Sequence, residues 1–248
     1  MTMLCRRLPH EVGSGPHNMA LDEALLDAVA ENPTQTVIRT YGWTTPTLSL
    51  GYFQTIADVE ADPRWSGVDV VRRPTGGGAL FHDHEVTYAV VIPGSHPLAR
   101  PSAALYRAIH EAIAVRLRGS GWTAHRRGPV APSANPRPFL CFADQDTEDV
   151  VASGVKLVGS AQRRRGGAVL QHGSLLLTRS PTTPELPGLT DLKPSEIPTE
   201  GWVDLLRETM PEALGLEPHD SELCPSEVAR AVALEANVYA NPEWTRRR

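Results

Sequence analysis

The sequence predicts an α/β (α+β) fold in which a mixed, largely antiparallel β-sheet is flanked by helices. Three observations lead to this prediction. Segments with helical spacing of apolar residues and β-rich segments follow one another in the order helix, strands, helix, strands, helices. Apolar residues alternate with their neighbours from Val86 to Ile92, as they do on a strand. The pair Ser153-Gly154 separates two β-rich runs and indicates a hairpin turn.

The N-terminal part of the chain is predicted to contain one helix and two pairs of strands. The run NMALDEALLDAVAEN predicts a helix with Asn18 as its N-cap and Pro33 beyond its end. TVIRTYGW and TLSLGYF are predicted to be adjacent strands, joined at residues 44–46. Two further strand-like segments flank a triple glycine at residues 76–78.

The rest of the chain is predicted to alternate in the same way. A second helix is expected from Ala103 to Arg118, followed by the strand-like GWTAHRR. GPVAPSANPRPFL contains four prolines and therefore predicts an irregular loop, a candidate lid over the site. DVVASGVKLVG predicts the hairpin and AVLQHGSLLL a further strand. Residues 178–199 lack periodicity, and GWVDLLRETMPEAL and PSEVARAVALEANVYA predict two helices after them.

Size and composition indicate one globular domain. The chain has 248 residues, of which 41% are hydrophobic and 21% charged, enough apolar material for a sizeable core. Residues 1–248 are predicted to form a single domain, with a core at about 17–200 and C-terminal helices at 200–248.

Charge and cysteine usage restrict the partners and the compartment. The formal net charge is -5, which predicts no nucleic-acid or membrane partner. The basic runs at 163–165 and 246–248 are interpreted as solvated turn and tail residues. Three widely spaced cysteines, Cys5, Cys141 and Cys224, fit neither a disulfide framework nor a zinc site. No apolar run has the length of a signal peptide or a membrane span, so a cytoplasmic enzyme is predicted.

The glycine run in RRPTGGG is the first stretch that could carry chemistry. Three consecutive glycines let the backbone approach a ligand and offer N–H groups to an anion or an acyl carbonyl. The spacing matches neither dinucleotide-binding nor Walker motifs, and a tight turn between strands is the alternative. In the nearby His82-Asp83-His84, a metal pair at i and i+2 is weighed against a polar contact from His82 to substrate.

A cysteine and a lysine form the second stretch. Cys141 ends the proline-rich loop, and Lys156 lies between the apolar residues Val155 and Leu157. The alternatives are a buried apolar cysteine and an exposed strand lysine. If the lysine points inward, burial lowers its pKa and a neighbouring thiolate raises it, so that the pair can exist as thiolate and ammonium. The small residues at 159–161 leave room for a narrow ligand tail, and the His-Gly at 172–173 is either a second polar contact or a strand bend.

Together these segments resemble the biotin/lipoate protein ligase (BPL/LPL) superfamily, most closely the LipM-type octanoyltransferases. The matching pieces, in the family's order, are HNMALDEALL, IRTYGW, TLSLGYFQ, RRPTGGG, HD, TYAV, CF, GVKLVGSAQRR, LQHGSLLL and YANPEW. The resemblance implies the catalytic fold of biotin and lipoyl ligases. It also implies a protein N-octanoyltransferase of lipoate biosynthesis that takes octanoate from octanoyl-acyl carrier protein onto a cysteine. The octanoyl group then passes to a lysine of a lipoyl-carrier protein, either the glycine-cleavage H protein or the lipoyl domains of 2-oxoacid dehydrogenases.

The residue reasoning and the resemblance together define a predicted site. The family's cysteine falls on Cys141 and its lysine on Lys156, the two predicted catalytic residues. No metal and no cofactor are expected for a transferase, whereas a ligase would need ATP and magnesium. The predicted substrate-binding residues are Arg73, Gly76, Gly77, Gly78, His82, Gly159, Ser160, Ala161, His172 and Gly173.

Other functions remain open at this stage. An ATP-dependent lipoate-protein ligase would use the glycine run and Lys156 to bind an acyl-adenylate. Gly78 stands where LipM-type enzymes often have arginine, and a triple glycine is more typical of such ligases. The segment ADQDTED after Cys141-Phe142 is also more acidic than is usual in the LipM type. An octanoyl amidotransferase and a non-catalytic acyl- or carrier-binding module are the remaining alternatives. The presence of Cys141 favours the transferase.

Overall fold

A computed structural model describes residues 3–129 and 137–248 of the chain. Most of the proline-rich loop predicted as a lid, residues 130–136, lies outside the described residues. The strands are β1 (Leu4–Arg7), β2 (Glu11–Gly13), β3 (Gln35–Trp43), β4 (Thr47–Leu50), β5 (Asp69–Arg72), β6 (Leu80–His82), β7 (Glu85–Pro93), β8 (His125–Arg126), β9 (Val150–Ala152), β10 (Val155–Arg165), β11 (Ala168–Leu176) and β12 (Pro218–Asp220). The helices are α1 (Gly15–Glu31), α2 (Ala57–Glu60), α3 (Ala103–Gly119), α4 (Leu189–Leu192), α5 (Thr199–Leu214), α6 (Pro225–Leu234) and α7 (Pro242–Thr245).

The described strands form a large sheet and a small one. The large sheet has the order β12-β1-β3-β7-β11-β10-β9-β8, with β2 also paired to β3. Every pair from β3 to β8 along this order is antiparallel, whereas β12, β1 and β2 join in parallel. The predicted mixed, largely antiparallel sheet flanked by helices is therefore confirmed.

Strand β7 explains why the sheet is buried on both faces. Its residues Val86, Tyr88, Val90 and Ile92 point to one side and belong to the core that includes α3 and α5. The intervening residues Ala89 and Val91 point to the other side and belong to the core that includes α1. Helices on both faces thus remove the whole central strand from water, which is the main source of stability in such a layered fold.

The expected pairing of TVIRTYGW with TLSLGYF is wrong. Strand β3 pairs with β1, β2 and β7, whereas β4 pairs with β5 and β6 in the small sheet of the described residues. Both edges of β3 are therefore already occupied. Residues 44–46 carry the chain from one sheet to the other, and Pro46, which has no N–H to donate to a ladder, lies directly before β4.

The N-cap of α1 also differs from the prediction. Ser14 caps the helix, because its Oγ accepts a hydrogen bond from the backbone N–H of His17 at 3.2 Å, and Pro16 occupies the first turn. Asn18 is instead buried inside the helix. Its side-chain amide donates to the carbonyls of Gly13 and Gly42, at 3.2 and 3.0 Å, and so fixes α1 to the ends of β2 and β3.

The terminal segments contribute strands that the sequence did not predict. Strands β1 and β12 pair with each other at the edge of the large sheet. Cys5 is fully buried in β1, and burial raises the pKa of its thiol to about 11. Among the described residues, none of the helices combines the length and the apolar character needed to cross a membrane.

Candidate active site

A cavity of about 850 Å³ lies where the small sheet meets β10 and β11 of the large sheet. All of the residues predicted for the site line it, although they come from four separate stretches of the sequence. They are Arg73, Gly76, Gly77, Gly78, His82, Cys141, Lys156, Gly159, Ser160, Ala161, His172 and Gly173. The fold therefore brings the predicted site residues together around one space.

Cys141 is held against the glycine loop, residues 76–78. Its backbone N–H donates to the carbonyl of Ala79 at 2.7 Å, and the N–H of Ala79 donates to the carbonyl of Phe139 at 2.8 Å. A Cβ atom at Gly78 would lie 3.0 Å from the backbone nitrogen of Cys141. Glycine at position 78 thus permits this close approach.

Lys156 points into the cavity beside the cysteine. Its Nζ lies 3.5 Å from Cys141 Sγ and donates to the carbonyls of Cys141 and Asp144, at 3.1 and 3.2 Å. The ladder between β9 and β10 is irregular between Lys156 and Val158, and such a bulge redirects a side chain. A Cβ at Gly159 would come within 2.6 Å of Lys156 Cε, so glycine leaves the space that the lysine fills.

Asp149 completes this group and was missed by the sequence reasoning. Its Oδ2 forms an ion pair with Lys156 Nζ at 2.7 Å, and both residues are buried. Asp149 is the last residue of the acidic segment that follows Cys141-Phe142, and that unusual acidity was the available signal. A buried lysine needs a counter-charge, and Asp149 supplies it.

The charges around Lys156 decide its protonation state. Burial alone would lower the pKa of Lys156, but the charges of Cys141 and Asp149 outweigh burial and raise it above its ordinary value. Burial also raises the pKa of the Asp149 carboxyl, an effect that the Lys156 ammonium opposes. Lys156 is therefore an ammonium group in the free protein, which suits it to stabilise a thiolate at Cys141.

Arg73 supports the glycine loop from inside the protein. Its guanidinium donates to the carbonyls of Gly76 and Gly78, at 3.1 and 2.9 Å, and to the carbonyl of Ser49 at 2.7 Å. Burial lowers the pKa of Arg73, and the charge of Cys141 opposes this effect. Among the described residues, no acceptor pairs with the backbone N–H groups of residues 76–78, so these donors are available to a ligand.

The two predicted histidines fix the cavity walls. His172 lies between Asp22 and Thr75, with its Nδ1 2.7 Å from Asp22 Oδ2 and its Nε2 2.7 Å from Thr75 Oγ1. It therefore connects α1 to the residue that precedes the glycine loop. Burial lowers the pKa of His82, whose ring stacks on Trp43 with a centroid separation of 3.7 Å.

The metal alternative at His82-Asp83-His84 finds no support in the geometry. Strand β6 ends at His82, so His82 and His84 do not share a strand face. The ring nitrogens of His82 already contact Glu85 and Ser49, and His84 lies 3.5 Å from Asp83. In the ranges 3–129 and 137–248, no three histidine, cysteine or acidic side chains are grouped to hold a metal ion.

Ser160 is positioned by a buried histidine that the sequence did not single out. His110 Nε2 lies 2.8 Å from Ser160 Oγ, and its Nδ1 lies 2.5 Å from the carbonyl of Glu148. A carbonyl can only accept, so Nδ1 carries the proton and Nε2 accepts from Ser160. Burial lowers the pKa of His110 to about 4, which keeps the ring neutral in this role.

His110 is therefore expected to make the protein sensitive to acid. The ring is neutral in the folded state down to a pH of about 4 but is protonated below about 6.5 when unfolded. The free energy of unfolding should thus fall by roughly 3 kcal/mol as the pH drops from 6.5 towards 4. Urea unfolding of the wild type and of His110→Gln across this range measures the effect. The stability difference between them should narrow as the pH falls, and a constant difference would contradict the assignment.

A family model described as the lipoyl protein ligase A/B catalytic domain matches residues 14–183. The chain belongs to this family. The resemblance to LipM-type octanoyltransferases is likewise confirmed, because Octanoyltransferase LipM of Kyrpidia tusciae is 37% identical over 95% of this chain and 96% of its own length. The same-named protein of Bacillus subtilis is 42% identical over 64% of this chain and 60% of its own.

Solved structures of lipoate ligases share the fold of this lipoyl protein ligase A/B family member. A lipoate-protein ligase A bound with ATP has a TM-score of 0.78 at 23% identity and covers 99% of both chains. A bipartite lipoate protein ligase from Thermoplasma acidophilum has a TM-score of 0.75 at 22% identity, covering 99% of this chain and 97% of its own. At these identities the likeness concerns the fold alone.

Proposed function

We propose that this protein is an octanoyl-[acyl carrier protein]:protein N-octanoyltransferase that works through a thioester on Cys141. The observation that carries the proposal is the contact of Cys141 Sγ with the buried Nζ of Lys156, 3.5 Å away, on the wall of a large cavity. A cysteine thiolate next to a fixed ammonium is an activated nucleophile. The relatives named octanoyltransferase LipM support octanoyl as the acyl group.

In the first half-reaction, the Cys141 thiolate attacks the thioester of octanoyl-acyl carrier protein. The N–H groups of residues 76–78 are the donors available to the oxyanion of the tetrahedral intermediate. When the intermediate collapses, the carbon–sulfur bond to the phosphopantetheine arm breaks and octanoyl remains on Cys141. The departing thiolate takes the proton of the Lys156 ammonium, which leaves a neutral amine.

In the second half-reaction, the amine of an acceptor lysine attacks the octanoyl thioester. Acylation removes the Cys141 charge, one of the causes that raise the pKa of Lys156, so the lysine is a better base at this stage than in the free protein. Neutral Lys156 takes the proton of the attacking nitrogen, and Cys141 leaves as a thiolate. The thiolate–ammonium pair is thereby restored.

The proposed donor, acceptor and setting follow from this chemistry and from the family. The acceptor is a lysine of a lipoyl-carrier protein, such as the glycine-cleavage H protein or a lipoyl domain. Exchange between thioesters is nearly isoenergetic and amide formation is downhill, so no ATP or other cofactor is needed. Free cysteines throughout the described chain suit a reducing, cytoplasmic setting.

Mass spectrometry of the intact protein tests the proposal. After mixing with octanoyl-acyl carrier protein without ATP, the wild type should carry one octanoyl group that hydroxylamine removes. Addition of a lipoyl-carrier protein should discharge this adduct and octanoylate the acceptor. If no adduct forms, and acceptor modification instead requires ATP, the protein is an ATP-dependent ligase.

Asp149→Asn is expected to slow formation of the octanoyl adduct about tenfold, because the Lys156 ammonium loses the carboxylate that fixes it. As the pH is raised, the acylation rate of the variant should also begin to fall at a lower pH than that of the wild type, since Asp149 is one cause of the raised pKa of Lys156. Stopped-flow acylation rates against pH measure both effects. An unchanged alkaline limb would show that Asp149 has only a structural role. Asp204→Asn, at an exposed carboxylate on α5 that does not line the cavity, is the matched control.

A further inference from the structure

Two basic runs that are far apart in the sequence meet on one surface. Arg163 and Arg247 both stack on the ring of Tyr52, with their guanidinium carbons 5.5 and 4.5 Å from its centroid. Arg248 lies 5.3 Å from the ring centroid of Phe53. These five residues are here named the Tyr52 patch. Their arginines contact aromatic rings. Arg247 and Arg248 are exposed, as predicted for solvated tail residues, whereas Arg163 belongs to strand β10 rather than to a turn.

The arginine side chains of the Tyr52 patch are not neutralised by acidic side chains. Within the described residues, Arg163, Arg247 and Arg248 form no ion pair with a carboxylate. Arg72 lies fully buried beneath them and donates to carbonyl groups, those of Gly51, Tyr52, Gln54 and Thr245. Burial lowers the pKa of Arg72, and the charges of Arg247 and Arg248 lower it further. The neighbouring Arg165 and Arg246, in contrast, are paired with carboxylates.

The Tyr52 patch adjoins the cavity across the glycine loop. A Cβ atom at Gly76 would lie 3.8 Å from the ring of Phe53, which is 69% exposed. Arg163 follows the cavity-lining residue Ala161 on the same face of β10. Elsewhere on the cavity wall, opposite charges are paired with one another: Arg64 with Asp62, and Arg137 with Asp144 and Asp146. Asp58, also on the cavity wall, forms no ion pair among the described residues, so the excess of positive charge beside the cavity is confined to the patch side.

The position of the Tyr52 patch suits one of the two protein substrates, the acyl donor, better than the other, the lysine acceptor. A lysine side chain is short, so the acceptor must sit over the cavity opening itself. The donor reaches the same thiol through a phosphopantetheine arm that is several-fold longer, so its protein body can rest beside the opening. A patch that lies outside the cavity but next to it fits the donor. Exposed positive charge around aromatic side chains also fits a protein of acidic surface.

We propose that the Tyr52 patch is the docking surface for the acidic body of the acyl carrier protein that donates the octanoyl group. This inference rests on the function proposed above, because it requires a carrier-borne donor. It adds a specific surface on this chain and assigns it to the first half-reaction alone. Binding there guides the loaded arm over the glycine loop towards Cys141, and rising salt weakens the attraction.

Acylation rates of the double variant Arg163→Glu/Arg247→Glu test this docking surface. The value of kcat/KM for octanoyl-acyl carrier protein should fall about thirtyfold, within the range that electrostatic steering covers. The rates with octanoyl-phosphopantetheine and octanoyl-pantetheine, which lack the carrier protein, should stay within twofold of the wild type. The matched control is Arg100→Glu/Lys193→Glu, which makes the same change in net charge at two exposed positions outside the patch that form no ion pair among the described residues, and it should leave the rates with all three donors unaffected.

Several outcomes would overturn the docking surface. One is an equal loss with octanoyl-phosphopantetheine, which would mean that the patch binds the phosphate of the arm. Others are a loss confined to transfer from the octanoyl-enzyme to the acceptor, and no loss at all. In the wild type, kcat/KM for the carrier donor should fall with salt while the octanoyl-pantetheine rate does not, a test that needs no variant. Failure of the proposed function looks different, because the wild type would then form no adduct with any of these donors.

Discussion

Cys141→Ala is expected to abolish octanoyl transfer from the carrier protein, lowering kcat/KM by at least about 1000-fold. The reason is that no other described thiol reaches the cavity: Cys5 is buried in β1, and Cys224 lies at the start of α6. Intact-mass spectrometry should find no octanoyl adduct on the variant. Rates of acceptor octanoylation provide the second measurement.

The matched control for this prediction is Cys224→Ala, the same change at a partly exposed thiol outside the cavity. It should retain wild-type rates and the octanoyl adduct. The fold of Cys141→Ala should also be intact, because the sulfur's hydrogen bond, to Lys156 at 3.5 Å, is long. A Cys141→Ala protein that still octanoylates the acceptor at wild-type rates without ATP would disprove the thioester mechanism.

Lys156→Met is expected to have the second largest effect, a loss of about 100- to 1000-fold in the acylation rate. The variant removes the ammonium that stabilises the thiolate and that protonates the departing pantetheine sulfur. It also leaves Asp149 buried without its partner, which should cost about 3–5 kcal/mol of folding stability. Single-turnover acylation and urea unfolding measure the two effects separately.

The double variant Lys156→Met/Asp149→Asn separates chemistry from folding. It removes both charges of the buried pair, so most of the lost stability should return, while the acylation rate should stay as low as in Lys156→Met. If the rate returned along with the stability, Lys156 would be a structural residue rather than a catalytic one. Lys193→Met, at the surface, serves as the control for the same substitution away from the cavity.

Local sequence patterns were sufficient for the elements whose partners are near in the chain. The hairpin of β9 and β10 turns at Ser153-Gly154, where both residues have positive φ, as the small residues in ASGV indicated. Helix α3 likewise matches its predicted bounds to within one residue. In contrast, β1 and β12 are strands of four and three residues that pair with each other from opposite ends of the chain. Their short length carries no periodicity, so only long-range pairing defines them.

The candidate site shows the same division between local and long-range information. The individual chemistry of Cys141 and Lys156 was visible in the sequence, but the direction of Lys156 depends on the irregularity between β9 and β10. Arg73 and His172 line the cavity as predicted, yet their hydrogen bonds go to the protein. Those bonds join α1, the glycine loop and β11, and no local pattern encodes them. The role of Asp149 could not be predicted locally, because it depends on the burial of Lys156, which only the fold shows.

The backbone hydrogen bonds that join Ala79 to Phe139 and Cys141 have a consequence for how the enzyme can move. They make the glycine loop and the nucleophile one mechanical unit, so the loop cannot swing outward without pulling the thiol away from Lys156. Any thermal opening that admits water would also dismantle the centre that makes the acyl group reactive. The octanoyl-enzyme is thus expected to resist hydrolysis while it waits for an acceptor. In this chain a larger residue at position 78 would require a shift of the Cys141 backbone.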